Sequence, residues 1–240
     1  ALVIVTIIDA FVATAASYST GTISLTTSNN GGTINLSNSA LGNYSVTGGA
    51  GNDVISGGNS DDIISGGNGN DTIDGGDGAD SLTGGSGNDV YLFDTGDVDS
   101  GESITEASSG GTDAVAIVTT TDFTNMTAAS FNEIEEIRFA GANQTGTFTG
   151  AQLTGETLSL TETASGTSNL IINVASGTTA TFANMTASTF TSGSDTITIN
   201  GTTGNETITG PNVASTINGG TCLLYTSPSQ RDQRGYTKPR

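Results

Sequence analysis

Residues 48–92 read GGAGNDVIS, GGNSDDIIS, GGNGNDTID, GGDGADSLT and GGSGNDVYL, five nonapeptides in succession without a gap. The first two positions of each unit are Gly, the sixth is Asp, and the eighth is a large apolar or aromatic residue. A weaker unit, SALGNYSVT at residues 39–47, precedes them and has Tyr44 at the acid position. A short period repeated without interruption is typical of solenoids, in which each repeat stacks on its neighbours.

Each nonapeptide divides into a six-residue turn and a three-residue strand. Gly suits a backbone with positive φ and carbonyls directed at an ion, and Asp supplies the hard anionic oxygen that Ca²⁺ prefers. Two nonapeptides make one coil, so turns on the same side stack at the strand spacing of about 4.8 Å. This predicts two files of carboxylates, Asp53, Asp71 and Asp89 on one side and Asp62 and Asp80 on the other.

The pattern resembles the RTX (repeats-in-toxin), or haemolysin-type, calcium-binding repeat family. The resemblance implies an all-β fold, a parallel β-roll that forms a calcium-binding solenoid, flanked here by β-rich modules. It also implies Ca²⁺ as the cofactor, held between turns of alternate repeats by backbone carbonyls and one Asp from each turn. The implied ligand sets are Gly49, Gly51, Asp53, Gly66, Asn68 and Asp71; Gly58, Ser60, Asp62, Gly75, Asp77 and Asp80; and Gly67, Gly69, Asp71, Gly84, Ser86 and Asp89.

Two departures from the pattern affect these expected sites. Ser60 stands where the fourth Gly is expected and is predicted to weaken the second site. Tyr44 is predicted to remove the carboxylate from any site formed with residues 39–47.

The array is expected to be a conditional structure. One buried side chain per repeat, at about 25 cal/mol per Å², does not offset a backbone entropy of about 1–2 kcal/mol per residue. Stacked Asp side chains also repel one another. We therefore expect disorder without metal and folding at the ~10⁻⁴–10⁻³ M affinities typical of extracellular calcium modules.

Segments outside the array follow other patterns. DFTNMTAASF (122–131) and TFANMTASTF (181–190) match at six of ten positions, and alternating stretches such as LIINV (170–174) favour strands. GTTGNETIT (201–209) returns to the nonapeptide pattern with Glu206 at the acid position. The predicted organisation is 1–38, the end of an upstream β module; 39–93, the calcium β-roll; 94–200, β-rich modules with an internal repeat; 201–221, the start of a second, truncated array; and 222–240, a sequencing-adapter artefact.

The artefact prediction rests on an abrupt change in composition. CLLYTSPSQRDQRGYTKPR (222–240) holds four of the five basic residues and the only Cys. It resembles the translated read of a sequencing adapter, and we exclude it from the fold reasoning.

The segment after the array carries weaker signals. Tyr91 and Phe93 are predicted to cover the end of the roll, because terminal repeats need a cap. The following acids are either a further ion site or a solvated loop, two interpretations that the sequence leaves open: Asp97, Asp99, Glu102 and Glu106.

FNEIEEIRF (131–139) places three glutamates beside Arg138. A local salt bridge is expected there rather than a catalytic carboxylate pair. Helical spacing of apolar residues across 124–137 indicates a short helix.

Charge and composition exclude several function classes. A formal net charge of −19 repels nucleic acid, and no apolar stretch reaches the ~18 residues of a membrane span. The chain has no His and no P-loop, so no catalytic set is recognised and this segment is not expected to be an enzyme.

Two function hypotheses remain. The first is a structural or adhesive module of a secreted bacterial protein, extracellular or at the cell surface, with a surface or matrix ligand as its partner. The second is the carrier and secretion part of an RTX enzyme or toxin, such as a protease, lipase or pore-former, whose active domain lies elsewhere. The resemblance implies a type I secretion exporter as a partner in both.

Overall fold

The computed structural model describes residues 3–6, 10–12, 23–26, 30–39, 42–106, 110–190, 195–219 and 222–226. The chain forms two compact units, Ala1–Ala116 with Asn125–Ile134, and Ile117–Thr124 with Glu135–Arg240. The first strands are β1 Val3–Thr6, β2 Ala10–Val12, β3 Ile23–Thr26, β4 Thr33–Asn35, β5 Tyr44–Ala50, β6 Val54–Ser56, β7 Ile63–Asn68, β8 Thr72–Asp74, β9 Ser81–Ser86, β10 Val90–Phe93, β11 Ser103–Ile104 and β12 Ala114–Ile117.

Strands of the first unit alternate between two parallel sheets. One sheet has the order β1-β3-β5-β7-β9-β11, and in the other the order runs β2-β4-β6-β8-β10-β12. Ile55 pairs with Ile73 and Ile64 with Leu82, so two nonapeptides make one coil. This confirms the predicted all-β class and the parallel β-roll.

The roll extends beyond the nonapeptides at both ends. Upstream, β1 to β4 are stacked in the same two sheets as the array. Downstream, β11 pairs with β9, and β12 follows β10 in its sheet. The predicted cap is therefore wrong: Tyr91 and Phe93 lie inside the roll, fully buried in β10, because further coils cover them.

One side chain of each short strand fills the interior of the roll. In a strand, alternate residues face opposite sides, so the middle residue of three points inward and its neighbours point out. Val54 and Ile63 accordingly are the large apolar side chains left exposed among the described residues. The inward positions, all at most 3% exposed, are Ile34, Val46, Ile55, Ile64, Ile73, Leu82, Tyr91 and Ile104.

Glycine is required where turns stack directly on one another. Gly67 and Gly69 have φ of 114° and 123°, a conformation that L side chains rarely adopt. A Cβ on either would lie under 3.0 Å from the carbonyl oxygen of the corresponding Gly in the preceding coil. The repeated glycines thus permit coil stacking as well as the turn itself.

The second unit is also built from parallel strands. Its sheets have the orders β14-β16-β19, β13-β15-β17-β20-β22 and β18-β21-β23. The elements are β13 Thr121–Asp122, β14 Glu136–Phe139, β15 Thr145–Thr149, α1 Gly150–Leu153, β16 Ser159–Glu162, β17 Asn169–Asn173, β18 Thr179–Thr181, β19 Thr186–Ala187, β20 Thr196–Asn200, β21 Asn205–Thr209, β22 Thr216–Asn218 and β23 Cys222–Thr226.

Aromatic side chains fill the core of the second unit. Phe123 stacks on Phe148 with ring centroids 4.6 Å apart, and Phe139 contacts Phe190 at 5.2 Å. The predicted internal repeat, whose first copy lies partly in the first unit, places equivalent residues in buried positions: Phe123 and Phe182, Met126 and Met185, and Phe131 and Phe190.

The remaining local predictions have mixed outcomes. Arg138 forms a bidentate salt bridge with Glu136 across 2.7–2.8 Å, which confirms the predicted ion pair. The predicted short helix is a single 3-10 turn, Ala128–Phe131. In the part of the chain that the structure describes, no helix has the length and apolar character that a membrane crossing requires.

Candidate metal centre

The first file of carboxylates runs along one side of the roll through backbone hydrogen bonds. Oδ1 of Asp71 accepts the N–H of Asp53 at 2.8 Å, and Oδ1 of Asp89 accepts the N–H of Asp71 at 2.7 Å. Asp113 continues the file by accepting the N–H of Asp89 at 2.8 Å, and Asp53 accepts the N–H of Gly32 at 2.6 Å. Each acid is thereby fixed against the turn of the preceding coil.

The second file is built in the same way. The N–H of Asp62 donates to Oδ1 of Asp80, and the N–H of Asp80 donates to Oε2 of Glu102, both at 2.7 Å. Tyr44 begins this file: its N–H donates to Oδ1 of Asp62, while its buried hydroxyl pairs with the hydroxyl of Ser39. Tyr44 thus stands where a carboxylate would be, as the sequence predicts.

The second oxygens of the acids are buried and face the glycine turns. All five repeat Asp are at most 1% exposed, as in a protein core. Carboxylate oxygens of the two files without a hydrogen-bond donor among the described residues include Oδ2 of Asp71, Asp80 and Asp89, and Oε1 of Glu102. A buried anionic oxygen without a donor is costly unless a cation or a proton accompanies it.

The first glycine of each turn marks where these oxygens converge. A Cβ at Gly48 would lie 2.6 Å from Oδ2 of Asp53, and it would also contact the carbonyl oxygen of Gly66 below 3.0 Å. At Gly66, a Cβ would meet Oδ2 of Asp71 and, at 2.8 Å, the carbonyl oxygen of Gly84. Each glycine is therefore a cradle, a position free of side chain toward which two oxygens from successive coils point.

The third cradle lies on the other side of the roll. A Cβ at Gly57 would lie 2.8 Å from Oδ2 of Asp62 and close to the carbonyl oxygen of Gly75. A carboxylate and a carbonyl converging on one point is a donor set that suits a hard cation such as Ca²⁺. The buried oxygens and the cradles thus fit the ion that the resemblance implies.

Only some of the expected ligands lie at these cradles. Each expected site receives one Asp oxygen together with the carbonyl of the first Gly of the following coil, in the pairs Asp53 with Gly66, Asp62 with Gly75, and Asp71 with Gly84. The carbonyls of Gly49 and Gly51 instead face Gly67 and Gly69 of the next coil, and that of Gly58 faces Gly76. The side chains of Asn68, Asp77 and Ser86 are exposed, so only their backbone oxygens remain as ligands, and the full ligand sets stay predictions.

Burial dominates the electrostatics of both files. It raises the pKa of Asp62 to about 6 and the pKa of Asp80 to about 7, against backbone hydrogen bonds that lower both. It likewise raises the pKa of Asp89 to about 7, helped by Asp71, and the pKa of Glu102 to about 9. The carboxylates therefore resist ionisation unless a positive charge joins them.

The acids that follow the array do not form one group. Glu102 joins the second file, whereas Glu106 lies beside Asp89 in the first. Asp99 is exposed, and Asp97 accepts the N–H of Asp94. Neither interpretation, one ion site or a solvated loop, describes all of these acids, because they lie in different parts of the roll. The 18-residue spacing did not identify Glu102 and Asp113 as members of the files, because Asp80 to Glu102 spans 22 residues and Asp89 to Asp113 spans 24.

A further ladder on the outside of the turns was not predicted. Oδ1 of Asn52 accepts the N–H of Asn70 at 2.8 Å, and Oδ1 of Asn70 accepts that of Asn88 at the same distance. Asp61 does the same for Ala79 at 3.0 Å. The signal was present in the sequence as Asn at the fifth position of every second repeat.

The expected second array offers one acid among its described residues. Glu206 is 1% exposed, and its Oε1 accepts the hydroxyl of Thr202. Its assignment to a second calcium array stays a prediction. Of residues 222–240, the expected artefact, β23 pairs with β21 and the rest lies outside the described residues.

Comparison with known proteins gives one family. Residues 45–73 and 65–97 match the family described as the RTX calcium-binding nonapeptide repeat (4 copies). Neither the curated proteins nor the solved structures give a match.

Proposed function

Since residues 45–97 are an array of RTX calcium-binding nonapeptide repeats, we propose that this β-roll is a structural module of a secreted protein that folds when calcium binds. That the repeats bind Ca²⁺ is the established part of this conclusion. The observation that supports the rest is that buried carboxylate oxygens of the repeat Asp converge with carbonyls on glycine cradles, and that Oδ2 of Asp71 has no hydrogen-bond donor among the described residues.

Three ions are proposed between alternate turns. Each uses the Asp of one turn, the Asp of the next turn on the same side, and two backbone carbonyls from each. Asp71 belongs to two of the three sites, because its Oδ2 faces Gly66 while its Oδ1 faces the preceding coil at Asp53. The bound ion supplies positive charge, and the chain supplies every oxygen that receives it.

Calcium and folding are coupled in this proposal. The strands β6 and β8 have three residues each and bury one Ile apiece, so the hydrophobic contribution of a coil is small. Against it stand the backbone entropy and the cost of burying carboxylates close together. Ligands that exist only in the stacked coils make the binding free energy a folding free energy.

The same coupling supports an extracellular location. Calcium modules outside the cell bind at ~10⁻⁴–10⁻³ M, so the array would stay unfolded at cytosolic calcium and fold after export. Passage through a type I exporter and a surface or matrix partner are part of this proposal. The second unit supports a structural or adhesive role, because it also stacks parallel strands, with an aromatic core in place of acid files.

The test compares two Asp→Asn variants of the full chain that lose the same charge. Asp71→Asn removes a buried carboxylate shared by two proposed sites. Asp61→Asn is the matched control, because Asp61 is exposed and its amide replacement still accepts the N–H of Ala79. Far-UV circular dichroism during calcium titration is the measurement.

We expect the wild type and Asp61→Asn to gain β structure with a midpoint of about 10⁻⁴–10⁻³ M. Asp71→Asn should shift the midpoint at least tenfold higher. Equal midpoints for the two variants would contradict the ligand assignment. A midpoint below the micromolar range would contradict the proposal that the array stays unfolded at cytosolic calcium.

A further inference from the structure

The cradle at Gly84, the first glycine of the last nonapeptide, differs from those at Gly48, Gly57 and Gly66. At Gly48, Gly57 and Gly66 the second oxygen is the carbonyl of a glycine in the following coil. At Gly84 the two nearest oxygens both belong to side chains. A Cβ there would instead meet Oδ2 of Asp89 and Oε1 of Glu106, both under 3.0 Å. A side-chain carboxylate therefore takes the place that a backbone carbonyl holds elsewhere.

Three carboxylates meet at this position. One oxygen each of Asp89, Glu106 and Asp113 lies within 4.8 Å of the other two. Asp89 is 0% exposed, and its Oδ2, which points into the cradle, has no hydrogen-bond donor among the described residues. A cluster of three anions around a buried oxygen without a donor is strongly repulsive unless a cation lies among them.

The chain holds Glu106 and Asp113 in defined orientations. Oε1 of Glu106 accepts the N–H of Gly84 at 3.0 Å and the hydroxyl of Tyr91, and Oε2 accepts the N–H of Gly85 at 3.4 Å. Oδ1 of Asp113 accepts the N–H of Asp89 at 2.8 Å, as the repeat acids do for the preceding coil. The site is thus built from the backbone of the last repeat and from two acids outside the repeat.

We propose that Asp89, Glu106 and Asp113 bind a further Ca²⁺, which closes the array with side chains from beyond the nonapeptides. The donor set is all oxygen, and its three carboxylates exceed the two Asp of each repeat site. A hard divalent cation is the ligand class that matches such a set. This inference rests on calcium binding by the array, and it adds one ion to the three proposed above.

The experiment counts the calcium ions bound to the full chain by isothermal titration calorimetry and by equilibrium dialysis. Glu106→Gln removes the charge but keeps an acceptor for the N–H of Gly84 and Gly85. Asp113→Asn removes the second non-repeat acid and keeps the acceptor for Asp89. Glu133→Gln is the matched control, because Glu133 is exposed and the charge change is the same.

We expect Glu106→Gln and Asp113→Asn each to bind one ion fewer than the wild type and Glu133→Gln. Circular dichroism at saturating calcium checks that the variants retain the β-roll, and Asp113→Asn decides the question if Glu106→Gln does not fold. A full count with unchanged affinity in both variants would overturn the proposal and would show that Glu106 only covers the end of the array. A wild type that binds no calcium would overturn the proposed function as well, so the two failures are distinguishable.

Discussion

The nonapeptide array (residues 48–92) and the aromatic module (residues 136–200) both stack parallel strands, but they stack different kinds of side chain. Both align parallel strands in register, so that like residues lie above one another. In the array the residues that repeat along the turns are buried acids. In the aromatic module they are neutral: Nδ2 of Asn200 donates to Oδ1 of Asn173 at 3.1 Å, and Thr196 donates to Asn169 at 2.6 Å.

The cores differ as sharply as the turns. The three-residue array strands β6 and β8 contribute one Ile each, whereas the module buries several phenyl rings such as Phe139 and Phe148. Aromatic rings bury 150–250 Å² each, so the module gains far more from removing apolar surface from water. From this comparison we infer that stacked repeats are stable without an ion when the repeated groups are neutral, and that they need a counter-ion when the groups are charged.

Removing calcium should produce the largest difference between the two regions. We expect the array to lose its protection against amide hydrogen exchange, because the buried carboxylates then repel without compensation. The aromatic module should keep its protection, since no metal ion is needed for the contacts that its described residues make. Hydrogen exchange with mass spectrometry, with and without chelator, measures both regions in one sample.

The module serves as the internal control in that measurement. Loss of protection in both regions together would mean that the module depends on the folded array. Retained protection in the array would mean that its acids are compensated without metal.

The nine-residue period made the array predictable. Invariant Gly, Asp and a large apolar residue at fixed offsets determine the coil length, and hence the pairing of Ile55 with Ile73. The same offsets place Asp53, Asp71 and Asp89 in one file, because a solenoid repeats its geometry with its sequence.

Features outside the nine-residue period were predicted incompletely or wrongly. Glu102 was named only as a candidate for a separate ion site, and Asp113 was not named, because both enter the files after insertions that lengthen their coils. Tyr91 and Phe93 were predicted to end the roll because the nonapeptides end there, but β11 and β12 continue it with ordinary strand residues. The roll therefore continues past the last nonapeptide, because the stacking of a coil requires only an inward apolar residue and a turn that connects the strands.

Phe148→Ala should produce the second largest effect, and it should be confined to the aromatic module. Phe148 is fully buried and stacks on Phe123, and removing such a ring typically costs about 3–5 kcal/mol. Urea unfolding at saturating calcium, followed by hydrogen exchange of the module, measures the loss. The calcium midpoint of the array should not move, and a shift comparable to that of Asp71→Asn would show that the two regions do not fold independently.

The smallest expected effect is a pH dependence of opposite sign in the two regions. In the array, burial raises the pKa of Asp80 and Asp89 to about 7 and of Glu102 to about 9, from ordinary values of 3.8 and 4.5. The folded array then holds more protons than the unfolded chain. These carboxyls favour the metal-free array most below their ordinary pKa, and that contribution is lost as pH rises through about 7 to 9.

In the module, hydrogen bonds from Arg138 lower the pKa of Glu136, so its contribution is present above the ordinary pKa of 4.5 and is lost only as pH falls through the lowered value. After calcium is removed by a chelating resin, acidification from about pH 8 to pH 5 should therefore increase β structure and exchange protection in the array alone. Protons would partly replace the ion, since either one relieves the buried charge. If the metal-free array instead lost structure on acidification, its acids would be stabilised by partners other than protons or cations, and the contrast with the neutral module would fail.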